Sequence, residues 1–165
     1  DLEKRYAHGE FVNPDSITFP DSLKYKTLVK GRTVYGGGGI FPDVFVPLDT
    51  TRVTKLHRNV VAKGVFARTV SEFVDGNRKV LLRKYSTFEE FEAGFVLSEK
   101  IYDRLIKNAR EEKVEFDEAD VEKSKSLLML QMKAVVAQGL FGTEAFYRVM
   151  YVENAALLKV LEMMK

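Results

Sequence analysis

The chain has 165 residues, 45% of them hydrophobic and 30% charged, and a formal net charge of +2. That length supports one core, or one domain with a smaller appendage. Basic and acidic residues are interspersed, so no basic stripe points to nucleic acid, and no apolar run is long enough to cross a bilayer. The absence of Cys excludes disulfides, thiolate metal sites and a cysteine nucleophile.

The opening "DLEKRYAHGEF" carries neither an initiator Met nor a signal-peptide pattern, and is expected to be the interior of a longer chain. It reads as a helical turn. "VNPDSITFPDS" is punctuated by Asn-Pro and Pro-Asp turn signals. "KYKTLVKGRTVY" reads as two short β runs joined at Lys30-Gly31, a hairpin, and "DVFVP" as a further strand ended by Pro47. Between them stand four consecutive glycines, Gly36 to Gly39, whose backbone reaches conformations closed to other residues. Two or three short strands do not make a stable sheet, so these are expected to join a larger one. Unpaired strand edges of this kind also offer a route to a homo-oligomer through the N-terminal β segment.

All four prolines lie at or before Pro47, and the proline-free remainder suits a run of helices. Asp49, Thr50 or Thr51 is expected to cap the first. The helical pattern runs from Val53 to Val74, with Phe66, Val70, Phe73 and Val74 on a buried stripe, and "DGNR" at 75–78 is expected to stop it. "STFEEF" offers Ser86 as N-cap with Glu89 three residues on, a capping box. "LSEKIYDRLIKNAREEK" is a charged amphipathic helix presenting Ile101, Leu105 and Tyr102 to the core. The longest helix starts at Asp117 and ends at Gly139 or Gly142, with Leu128, Met132, Val135 and Val136 on one face. "TEAFYRVMYVENAALLKVLEMMK" forms one more helix, or two broken near Val152 to Asn154. The expected fold is therefore mainly α: a helical bundle over residues 51–165 behind a β/loop segment over 1–50.

Chemistry is sparse. A P-loop needs Gly-Lys-Ser or Gly-Lys-Thr leading into a helix, whereas here the glycines lead to "IFPDV", where Pro42 forbids one. His8 and His57 fall in different halves and are expected at the surface, so no metal site is assigned. "EEFE" and "EFDEAD" are carboxylates at the positive ends of helix dipoles. Ser71, Ser98, Ser124 and Ser126 fall in or at the starts of helices, and Ser16, Ser22 and Ser86 in turns and caps, none beside a base in a turn that would expose the hydroxyl. No catalytic, cofactor-binding or metal-binding residue is assigned.

"KGRTVYGGGGIFPDVFVP" resembles the segment just downstream of the catalytic region in C-terminal processing peptidases, also called tail-specific proteases. That family follows a strand ending in Tyr-x-Thr-x-x-Gly-Arg with a Gly-x-Gly-Ile-x-Pro-Asp-x-x-Val element. Here Tyr25 and Thr27 precede Gly31-Arg32, and Gly37, Gly39, Ile40, Pro42, Asp43 and Val46 match the second part. "VAKGVFARTVSEFVDGNR", "STFEEF" and the stretch from Lys133 onward look like the helical tail of one bacterial branch, and the opening like its insertion between two Gly-Arg elements. The resemblance implies a periplasmic or envelope serine endopeptidase with a PDZ-type domain, acting on protein or peptide substrates. Its Ser nucleophile and Lys base would lie upstream of Asp1, so no residue here inherits a catalytic role. It implies that the glycines allow a sharp turn into a strand returning to the catalytic sheet, with Pro42 at its start. The alternatives are a stand-alone helical interaction module and a phosphate-binding domain using the glycines.

Overall fold

The computed structural model describes residues 2–36 and 44–165. The chain divides into two compact units, Asp1–Asp49 and Thr50–Lys165. Mainly helical structure with a two-stranded antiparallel sheet near the N-terminus is the observed class.

In the first unit, α1 spans Leu2–Ala7. Arg5 Nε donates to Glu10 Oε2 at 2.7 Å while its guanidinium lies 5.6 Å from the Phe11 ring centre. The Asn-Pro signal becomes a 3-10 turn, Pro14–Ser16, because Asn13 Oδ1 accepts the Asp15 amide. The hairpin forms as expected: β1, Lys24–Lys26, pairs antiparallel with β2, Thr33–Tyr35, with Tyr25 opposite Val34. Thr27 closes it twice, its amide donating to Arg32 O and its hydroxyl accepting the Arg32 amide.

Gly36, the first of the four glycines, follows β2. A Cβ there would stand 3.0 Å from Tyr25 Cε2, and the Gly36 amide donates to Leu23 O at 2.8 Å. The backbone passes close to the exposed Tyr25 ring here, so a side chain at this position would require that ring to give by a few tenths of an ångström. Gly37, Gly38, Gly39, Ile40, Pro42 and Asp43, and with them the expected turn into a strand at Pro42, lie outside the described residues. The described part of "DVFVP", Val44 to Pro47, is not a strand. β propensity needs a neighbouring strand to act on, and the next residue, Leu48, donates instead to Phe11 O at 2.9 Å.

The second unit holds α2, Lys55–Ala62; α3, Val65–Lys84; α4, Phe88–Gly94; α5, Glu99–Glu111; α6, Glu118–Phe141; α7, Thr143–Tyr151; and α8, Ala155–Met163. Four expectations need correction. The first long helix is capped by Thr54, whose Oγ1 accepts the His57 amide at 3.3 Å, not by Asp49, Thr50 or Thr51. The Val53 to Val74 pattern is two helices, parted at Gly64, where φ is +73°. Residues 75–78 do not stop α3, which runs on to Lys84 because Leu81 continues the buried line of Phe66, Val70 and Val74. The capping box at α4 is shifted by one: Thr87 accepts the Glu90 amide, and the Glu90 carboxylate reaches back to the Ser86 amide at 2.7 Å.

Ser98, Asp117 and Gly142 delimit α5 and α6 as expected, and the tail breaks into α7 and α8 with Asn154 capping the second. The core is one cluster running from Leu56 to Val149. Leu128, Met132 and Val136 of α6 are fully buried in it, with Val135 and Phe73 packed at its margin. A ring cluster closes one end, Phe91 stacking on Phe95 at 4.4 Å and meeting Phe141 at 5.6 Å.

Candidate functional site

The densest polar cluster in the helical unit lies between the start of α2 and α6. α2 begins with free amides that need acceptors, and α6 supplies some of them. Asp120 Oδ2 accepts the Leu56 amide at 3.2 Å, a carboxylate at a helix N-terminus where the dipole favours it. Thr54 Oγ1, already accepting from His57, shares a 2.5 Å hydrogen bond with the fully buried Ser124 Oγ. His57 turns its ring toward α6, Nε2 lying 2.9 Å from Gln131 Oε1, while the buried Nδ1 has no hydrogen-bond partner among the described residues. Arg52 bonds Ser126 Oγ at 2.9 Å and Glu153 Oε2 at 2.6 Å, tying the α7–α8 connection to this end of α6.

His8 is exposed as expected, but His57 is half-buried, a correction: it stands at the third position of α2, on the side that packs against α6. Ser124 was expected only as a helical residue, yet Ser124, Leu128, Met132 and Val136 recur every fourth residue, so its burial was readable from the stripe. The cluster holds a serine, a histidine and an aspartate but does not assemble them for acyl transfer. Ser124 is spent on Thr54, Asp120 on a backbone amide and His57 on Gln131, with no route for a substrate to the buried hydroxyl. It docks α2 onto α6.

A second cluster surrounds Arg148 of α7. Its guanidinium bonds Glu89 Oε1 at 2.8 Å and Glu92 Oε2 at 3.0 Å and lies 4.4 Å over the Phe88 ring. The hydrogen bond from Arg148 holds the Glu89 carboxyl below its ordinary pKa, and Glu89 in turn raises that of Arg148. Glu90 is lowered by the Ser86 amide, and Lys125 is raised by its bond to Glu99. Each of these shifts favours the charged form, whether the partner is an opposite charge or, for Glu90, the neutral Ser86 amide and hydroxyl, so none is poised for proton transfer near neutral pH. Tyr102 is pushed up to about 12, chiefly by burial, and donates its hydroxyl to Val121 O. Among the described residues no group of His, Asp and Glu is arranged to hold a metal. None of the described helices is long and apolar enough to cross a membrane.

A family of unknown function, DUF8443, matches residues 56–142, more than half of the chain. The chain belongs to this family. The matched segment begins at Leu56, the first buried residue of α2, and ends at Gly142, the cap of α6. It therefore takes in the α2–α6 core with Leu56, His57, Asp120, Ser124, Ser126 and Gln131 of the polar cluster, and leaves out Arg52, Thr54 and Glu153 along with the hairpin unit, α7 and α8. No protein of curated function and no solved structure matches the chain.

Proposed function

We propose that this chain is the C-terminal accessory region of a serine-type C-terminal processing peptidase, with the hairpin unit completing the sheet of an upstream catalytic domain and the helical unit bracing it. The observation that carries this reading is the hairpin. Its two strands are three residues long, β1 is wholly exposed, and none of the described residues before Thr54 is buried. Such a hairpin is marginal alone in water and gains its stability by adding to other strands. The Gly-x-Gly-Ile-x-Pro-Asp motif says which sheet that would be. Proteolysis of protein or peptide substrates would then be the work of an upstream Ser/Lys pair, in a periplasmic or envelope compartment, without a cofactor.

A second reading, a stand-alone helical interaction module, is favoured by the closed core of the helical unit and by a family match confined to residues 56–142. Two measurements separate them. The natural full-length protein should hydrolyse a peptide with an apolar C-terminal tail, and lose this on replacing a Ser upstream of Asp1 but not Ser124 or Ser126. In the 165-residue chain alone, the Val34 amide should exchange with solvent far faster than that of Val135. No hydrolysis by the full-length protein, or equal protection at Val34 and Val135, would overturn the peptidase reading.

A further inference from the structure

The connection between α4 and α5, residues 95–98, has the character of a strand edge without a sheet. Phe95 (φ −87°, ψ 115°) and Ser98 (φ −68°, ψ 139°) at its two ends are extended. Phe95 and Leu97 are buried while Val96 between them is 87% exposed, the alternation of a strand with one face on a core. Each end is tied to a helix, the Phe95 amide donating to Phe91 O at 2.8 Å and Ser98 O accepting the Ile101 amide at 3.1 Å. The amides of Val96 and Leu97 have no hydrogen-bond partner among the described residues.

Against this segment lies a groove of about 260 Å³, lined by Phe95, Val96 and Leu97 of the connection and by Met129, Leu130 and Lys133 of α6. Met129 and Leu130 stand four and three residues before Lys133, so the three share one face of the helix. Lys133 is the one charged residue of the lining. Its ammonium lies 5.9 Å from the Phe91 ring centre and has no carboxylate partner among the described residues, whereas Lys125, earlier on the same helix, is paired with Glu99 at 3.2 Å.

These features fix the chemistry of an occupant. The apolar lining takes an apolar side chain, the Lys133 ammonium takes a carboxylate, and the unbonded amides take carbonyl oxygens of an extended backbone. A fatty acid supplies the first two and no carbonyl along its chain. The volume also falls below the roughly 300–1,000 Å³ of sites that enclose a whole small molecule. An extended peptide meets all three demands. Its side chains two positions apart share a side, so an apolar residue two positions from an Asp or Glu matches the groove and Lys133 together.

We propose that this groove binds an extended segment of a partner protein in which an apolar residue stands two positions from a carboxylate, the segment adding alongside Val96. The apolar side chain packs on Met129 and Leu130, the carboxylate pairs with Lys133, and the connection's open amides donate to the segment's carbonyls. The site does not depend on the peptidase reading, and its test reads binding rather than hydrolysis.

The peptide acetyl-Thr-Glu-Thr-Leu-Thr-Glu-Thr-amide carries the pattern in both directions. Titrated into the ¹⁵N-labelled 165-residue chain, it should shift the Val96, Leu97 and Met129 amide resonances and saturate with a Kd below about 1 mM. The same peptide with Gln in place of both Glu should bind at least about fivefold more weakly. Lys133→Met keeps the aliphatic stem over Phe91 and removes the charge, so it should keep the wild-type melting temperature and bind the two peptides equally. No shift at Val96 and Leu97 up to about 5 mM peptide, a wild-type chain indifferent to the Glu-to-Gln change, or a Lys133→Met chain that still prefers the Glu peptide would each overturn the proposal. So would decanoate shifting the same amides at lower concentration than the peptide, which would make the groove a site for an apolar acid.

Discussion

Replacing Phe91 by Ala probes the part of the core where most rings converge. Phe91 is fully buried, stacked on Phe95 at 4.4 Å and 18°, 5.6 Å from Phe141, 6.2 Å from Phe88 and edge-on to Tyr85 at 5.9 Å. These partners come from α4, its flanks and the end of α6, so the ring joins elements about fifty residues apart. Truncating a buried Phe to Ala costs about 3–5 kcal/mol through lost transfer energy and the cavity left behind. The ring pairs add about 0.5–1.5 kcal/mol each beyond area, and the neighbouring rings cannot collapse freely because Tyr85 is held by its hydroxyl bond to Gly94 O at 3.0 Å. The upper half of the range is therefore expected, about 4–5 kcal/mol. At about 2–4 °C per kcal/mol for a chain of this size, the melting temperature should fall by about 10–15 °C. Phe91→Leu keeps most of the volume and should cost about 1–2 kcal/mol. Urea unfolding followed by far-UV circular dichroism reads both. A cost below about 1 kcal/mol for Phe91→Ala, at an unchanged urea slope, would refute the placement of the ring cluster.

Val136→Asp puts an unpaired carboxylate at a fully buried position of α6 and should cost about 3–5 kcal/mol in the same urea assay. Ser124→Ala should cost about 1–2 kcal/mol. Combined with Thr54→Val it should cost less than the sum of the two singles by about 1 kcal/mol, the signature of a shared hydrogen bond. Tyr102 adds an alkaline limb to stability. Its folded pKa of about 12 lies above the unfolded value of about 10, so the neutral phenol favours the fold. That contribution is whole below pH 10 and is lost as pH rises from 10 to 12. Melting temperatures should decline across that window in the wild type and decline less in Tyr102→Phe.

What could be read from the sequence was what local chemistry settles. α6 runs between Asp117 and Gly142 because an N-cap and a glycine bracket a long apolar stripe. The hairpin follows from two β runs around Lys30-Gly31, and the α7–α8 break from Asn154. What could not be read was decided by residues far away in the chain. Gly76 and Asn77 look like a stop, yet the glycine's cost of about 1 kcal/mol in a helix is outweighed by burying Leu81 one stripe further on. Asn77 also turns its side-chain amide to Phe73 O at 2.8 Å, and Arg78 reaches Gly139 O on α6 at 2.5 Å, so the apparent breakers are bonded within the bundle. The cap at Thr54, rather than Thr50 or Thr51, likewise depends on Ser124. His57 was assigned to the surface for the same reason, since nothing near it in sequence announces Gln131.

The family match and the distribution of burial divide the molecule along similar lines. α2 to α6, the matched span, packs its stripes against one another in one core, and several of its charges pair across helices, Arg68 with Glu112, Arg104 with Glu72 and Lys125 with Glu99. Apart from the groove beside Lys133, unsatisfied surface is concentrated outside that span. The outer edges of β1 and β2 offer backbone groups with no further strand among the described residues, and α8 offers an apolar seam. α7 mediates between the two, burying Ala145 and Val149 in the core while Arg148 fixes it to α4. A core closed in α2 to α6, with open elements elsewhere in the chain, suits a protein that holds other things together. A backbone edge recruits strands and an apolar seam recruits side chains, so the two elements call for partners of different chemistry.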